Sequence, residues 1–209
     1  MKRSLAVTVA VAAAFVGLTA WPSQAAAPVA GGVYTLASGA SGKCLNANGT
    51  DNGAVFTQLA CDNSTAQQFR AVAQNGAYGL VNINSGRCLD VPNYSTTSGV
   101  QLWQWTCGAS TNQTWTLTPS TTADRYLIKS NFNGLCASDK DGSTAGGNPI
   151  IQEPCSDTAR MQWRLNPTAG TPTPTTSPTS TPSGPYSNSP DGFASTSGSG
   201  LSTTTGGAA

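Results

Sequence analysis

Six cysteines, nine carboxylates and no histidine bound the chemistry open to this chain. Without histidine there is no Ser-His-Asp or Cys-His nucleophile and no His-ligated zinc. Glu153 is the sole glutamate, and the aspartates form no paired motif. A glycosidase needs two carboxylates at a set separation, so no catalytic residue is expected. No two cysteines stand in a C-x-x-C arrangement, which points to disulfides rather than metal ligands. Asp139-Lys140-Asp141-Gly142 lacks the closing acidic ligand of a calcium loop and reads as a turn. Ten Lys/Arg against nine Asp/Glu gives a net charge of +1, with no basic cluster to hold phosphates. Nucleic acid is therefore excluded as a partner.

The cysteines are held in a repeat. Tyr34, Tyr78 and Tyr126 each precede a cysteine by ten residues, namely Cys44, Cys88 and Cys136. Gly42, Gly86 and Gly134 lie two residues before those cysteines. A further glycine (Gly53, Gly99, Gly147) is followed eight residues later by Cys61, Cys107 and Cys155. Eight residues beyond stand Phe69, Trp115 and Trp163. The period is 44 to 48 residues, and unrelated segments do not hold five landmarks in register three times. The repeat selects the pairing Cys44–Cys61, Cys88–Cys107 and Cys136–Cys155, one disulfide per unit.

Each unit reads as four short strands separated by turns, with no useful helical period. Three units give twelve strands in an all-β domain over 29–167. One unit is too small to close a core, so the three must pack about a common axis. Phe69, Trp115 and Trp163 are expected in that core. Gln58, Gln104 and Gln152 recur in all three units and are expected to be structural.

Gln67-Gln-Phe69, Gln113-Thr-Trp115 and Met161-Gln-Trp163, in this cysteine register, resemble the three Q-x-W motifs of the ricin-type β-trefoil lectin family, carbohydrate-binding module family thirteen. The third motif departs at Met161. The resemblance implies a β-trefoil of three 44–48-residue repeats with up to three sugar sites. It also implies where ligand groups fall. The acidic position holds Asn46, Asp90 and Ser138; the stacking position holds Leu59, Trp105 and Glu153. The amide pair falls on Ala66-Gln67, Asn112-Gln113 and Arg160-Met161. Only the middle repeat is complete, so Asp90, Trp105, Asn112 and Gln113 are the expected carbohydrate-binding residues. Trp103 joins them, because it projects from the same strand face as Trp105 and would widen the platform toward a neighbouring sugar. Asp139, one step past Ser138, should turn to the other face.

Outside the repeats the chain changes character. Lys2-Arg3, an uncharged run from Leu5 to Ala20 and Ser23-Gln24-Ala25 predict a signal peptide over 1–25. That run falls short of the roughly 20 apolar residues of a membrane span, so no membrane association is expected. Export would suit the disulfides. From Gly170 to Ala209, 32 of 40 residues are Thr, Ser, Gly or Pro. Such a composition reads as a disordered linker over 168–189. The remaining 190–209, with Pro190-Asp-Gly-Phe-Ala-Ser195, weakly resembles the opening of a secreted family-one pectate lyase.

The expected protein is thus a secreted, non-catalytic, monomeric polysaccharide-binding module without cofactor or metal. Its partners would be galactosides, xylan or pectin side chains of plant cell walls. The alternatives are a truncated pectate lyase and a protein-binding trefoil.

Overall fold

The computed structural model describes residues 28–169 and 171, except 109. The chain divides into Met1–Thr175 and Thr176–Ala209, the latter outside the described residues. The expected signal peptide, most of the linker and the lyase-like tail also lie outside them.

Six strands close a barrel. They are β1 (Val33–Ser38), β4 (Gln68–Gln74), β5 (Ala77–Asn82), β8 (Trp115–Pro119), β9 (Tyr126–Ser130) and β12 (Gln162–Pro167). Pairing runs antiparallel around the ring: β1 with β4, β4 with β5, β5 with β8, β8 with β9, β9 with β12, and β12 back to β1. Closure leaves no free edge in that ring. Three hairpins accompany it: β2 (Cys44–Ala47) with β3 (Phe56–Leu59), β6 (Cys88–Asp90) with β7 (Trp103–Trp105), and β10 (Cys136–Asp139) with β11 (Ile150–Glu153). Each hairpin pairs with its own repeat's first barrel strand, at Ala37–Cys44, Val81–Cys88 and Lys129–Cys136. Twelve strands in three four-stranded units make the β-trefoil expected from the repeat.

The core is built in matched sets of three. Leu36, Leu80 and Ile128 are buried, as are Phe56, Leu102 and Ile150. Phe69, Trp115 and Trp163 have no exposed surface. Burying an indole N–H requires an acceptor. Trp115 donates to the Leu89 carbonyl and Trp163 to the Ala137 carbonyl, each at 3.0 Å. Phe69, with nothing to donate, needs neither. The three disulfides join the expected cysteines, closing loops of 17, 19 and 19 residues.

One-turn 3-10 segments precede the last strand of each repeat, at Thr65–Gln67, Thr111–Gln113 and Ala159–Met161. They explain the glutamine of the Q-x-W motif. Gln67 donates to the Ala60 carbonyl and accepts from the Asp62 N–H. Gln113 does the same with Thr106 and Gly108. In the third repeat the Met161 thioether takes only the acceptor half, from Ser156.

Gln58, Gln104 and Gln152 strap one repeat to another. Gln104 donates to the carbonyls of Gly49 and Asp51, Gln152 to those of Ser95 and Thr97, and Gln58 to those of Ser143 and Ala145. The backbone completes each strap: Gly53, Gly99 and Gly147 donate their N–H to the carbonyls of Gln104, Gln152 and Gln58. Thr168 and Thr171, both within the expected linker, donate their hydroxyls to the Val33 carbonyl. No helix among the described residues is long and apolar enough to cross a membrane.

Candidate functional site

Asp90 is the last residue of β6 and lies opposite Trp103 of β7. The β7 strand is three residues long, so Trp103 and Trp105 share a face and Gln104 turns inward. Asn112 and Gln113 arrive on the 3-10 turn before β8. The two hairpin strands and that turn converge on the Asp90 carboxylate.

Asp90 is 3% exposed, and both of its oxygens are engaged. Oδ1 accepts from Trp103 Nε1 at 2.6 Å. Oδ2 accepts from Asn112 Nδ2 at 2.9 Å and Gln113 Nε2 at 2.7 Å. Burial pushes the carboxyl above its ordinary value, against the pull of these three donors. Asn112 is itself fixed, its Oδ1 accepting from Ser110 Oγ at 2.7 Å. All five sequence-predicted residues are therefore brought together.

Beside the carboxylate the Trp105 indole is 41% exposed. Trp103 is half-buried and stacks on it, with ring centroids 5.0 Å apart and planes 28° apart. This differs from the widened platform read from the sequence. Two indoles two residues apart on one strand face pack face to face, and Trp103 commits its N–H to Asp90. The first repeat supports the pair from behind. A methyl group on Gly53 would lie 3.6 Å from Trp103 and 3.9 Å from Trp105. Asn52 Oδ1 accepts from the Thr106 N–H at 2.7 Å.

These residues line a cavity of about 280 Å³, at the low end for small-molecule sites. The 92–94 turn adds Asn93 and Tyr94, and the following loop adds Thr106, Gly108 and Ser110. None of these five was singled out in the sequence. Tyr94 carried a signal: it is an aromatic in a polar turn, four residues after the acidic position. It is 53% exposed, with an edge contact to Phe132 at 5.3 Å and 80°.

The other two repeats hold different groups at these positions. In the first, Asn46 donates to Asn48, and Leu59 stands exposed in place of Trp105. In the third, Arg160 pairs with Glu153 at 2.8 Å, so an ion pair occupies the amide and stacking positions. Asp139 turns to the opposite side from Ser138, as strand alternation requires, and is fully buried. It accepts from Ser38 Oγ and Asn148 Nδ2, and burial holds its carboxyl above the ordinary value. Lys140-Asp141-Gly142 forms a one-turn segment after β10, and no group of three His, Cys, Asp or Glu side chains among the described residues could hold a metal ion.

The arrangement offers an apolar aromatic face beside an anionic acceptor and fixed amides. That combination suits a ring with one C–H face and a fringe of hydroxyls.

Comparison with known proteins agrees with the fold. The sequence profile of the ricin-type β-trefoil lectin domain-like family matches residues 20–105, 71–131 and 111–177. Among solved structures, the designed three-fold symmetric protein ThreeFoil is 32% identical over 64% of this chain and 97% of its own, with a TM-score of 0.62. An exo-β-1,3-galactanase from Clostridium thermocellum is 31% identical over 66% of this chain, with a TM-score of 0.62; the match covers 30% of the galactanase. A ricin B-like lectin from Macrolepiota procera, solved with lactose, shares the fold at 16% identity over 66% of this chain and 96% of its own, with a TM-score of 0.60. The chain belongs to the ricin-type β-trefoil lectin domain-like family.

Proposed function

We propose that this chain is a secreted, non-catalytic carbohydrate-binding module with one working site, in the middle repeat. The observation that carries this reading is the Asp90 carboxylate, held by three donors beside the exposed face of Trp105. The sugar's C–H face lies on Trp105, and its hydroxyls bond to Asp90 and Asn112. Family membership supports the ligand class. The likeness to a galactanase over 30% of that enzyme makes β-galactosides the first ligands to test, ahead of xylan and pectin side chains. Attachment to plant cell-wall glycans, as the targeting part of a polysaccharide-degrading enzyme, is the biological role in this reading. One shallow site gives a dissociation constant near millimolar, about −4 kcal/mol.

The test is calorimetry on the secreted protein with galactose, β-1,3-galactan fragments and xylo-oligosaccharides. One site per chain is expected, with Asp90→Ala and Trp105→Ala each weakening binding about tenfold or more. Leu59→Ala and Glu153→Ala should leave it unchanged. Two or three equivalent sites, or binding insensitive to Asp90, would overturn the reading.

A further inference from the structure

Tyr94 stands where the fold favours glycine. The turn after β6 carries two successive residues in the left-handed region, Asn93 at φ +49° and Tyr94 at φ +53°. The matching turn of the third repeat has Asp141 at φ +56° and Gly142 at φ +66°. A Cβ is disfavoured in this conformation and glycine avoids the cost, so the middle repeat carries a strained tyrosine at a position that the third repeat fills with glycine.

The core does not require it. The ring is more than half exposed, and its hydroxyl makes no hydrogen bond among the described residues. Its ring contact is the T-shaped one with Phe132, which fixes the direction of the ring and leaves more than half of its surface open. The ring borders the same cavity as Asp90 and Trp105. Neither the first repeat, between Asn46 and Gly53, nor the third, between Ser138 and Gly147, has an aromatic in this loop. The tyrosine is confined to the one repeat with the complete set of ligand groups.

We propose that Tyr94 is a second stacking platform that makes the site selective for chains of two or more joined sugars over a single sugar. The inference rests on the sugar-binding reading of Asp90 and Trp105. One sugar occupies Trp105 and Asp90, and its neighbour along the chain lays its C–H face on Tyr94. Trp103 cannot take that part, because Trp105 covers one of its faces and its N–H is held by Asp90.

The experiment compares the full chain with Tyr94→Gly and Tyr94→Phe, titrating galactose against β-1,3-galactotriose and xylose against xylotriose. In at least one series the parent should bind the trisaccharide about tenfold more tightly than the monosaccharide. Tyr94→Gly should abolish that difference while leaving monosaccharide affinity and the thermal midpoint no lower than in the parent. Tyr94→Phe should keep the difference. Equal affinity of the parent for both lengths, or a trisaccharide preference that survives Tyr94→Gly, would overturn the inference while leaving the sugar site standing. So would an equal loss for both lengths in Tyr94→Gly. A parent that binds none of the four sugars would overturn the sugar-binding reading itself.

Discussion

At the scale of single residues, Asp90 ties binding to pH. Burial raises its folded-state value above the ordinary 3.8. An acid raised in this way is protonated more readily in the folded chain, so stability falls as pH rises from 3.8 through the raised value. Sugar binding in the proposed site runs the other way, because protonation removes an acceptor position from a carboxylate that already serves three protein donors. Affinity should therefore be flat near neutrality and begin to fall, on acidification, at a pH above 3.8. Trp103→Phe keeps the ring stack but removes a donor from Oδ1, so the same fall should begin at higher pH. Calorimetric titrations across pH on both proteins check this; an unshifted profile would show that the Trp103 N–H does not hold the carboxylate. Asp157 has the opposite sign. Hydrogen bonds from Ser120 and Thr121 hold it well below the usual range, so its contribution is present above 3.8 and lost as pH falls further. The cluster of Asp90, Trp105, Asn112 and Gln113 was legible because these residues sit at fixed distances from cysteines. The Trp103–Asp90 bond was not, since it depends on how an indole turns about its side-chain torsions. Tyr94 escaped notice because its peculiarity is a backbone angle.

At the scale of elements, the straps hold the hairpins together. Gln58, Gln104 and Gln152 are fully buried, and each ties two carbonyls of another repeat. Replacing any one with alanine should cost about 1–3 kcal/mol, because the carbonyls it served lose their donor. Denaturant unfolding of the three variants should give similar losses. Gln104→Ala should in addition weaken sugar binding. Its strap holds the Gly49–Gly53 loop, which lies against both indoles and braces Thr106 through Asn52. Gln58→Ala and Gln152→Ala should bind like the parent once folded. Recurrence in intact and altered units marked these glutamines as structural before the fold was known. Their partners were hidden, because a loop carbonyl has no signature in side-chain identity. The strands were legible from alternation and glycine turns, whereas closure of six of them into a ring depends on pairings between distant segments.

For the whole molecule, the disulfides weigh heavily. Loops of 17, 19 and 19 residues each contribute about 3 kcal/mol in the chain-entropy account. A domain of this kind has a total stability of about 5–15 kcal/mol. Replacing one pair with alanines should lower stability by a similar amount in each repeat, and reducing all three should unfold the trefoil near physiological temperature. Circular dichroism melts with and without reductant check both statements; a reduced chain with an unchanged midpoint would place the stability in the core alone.

The ion pair between Arg160 and Glu153 separates what folding needs from what the site needs. The third repeat keeps its strap, its disulfide and its buried tryptophan while holding none of the ligand groups. The trefoil unit therefore closes without those groups, and folding places no demand on them. In the middle repeat they stand in full, together with a tyrosine where the third repeat has glycine. In the reading proposed above, that set serves the ligand and the fold only carries it.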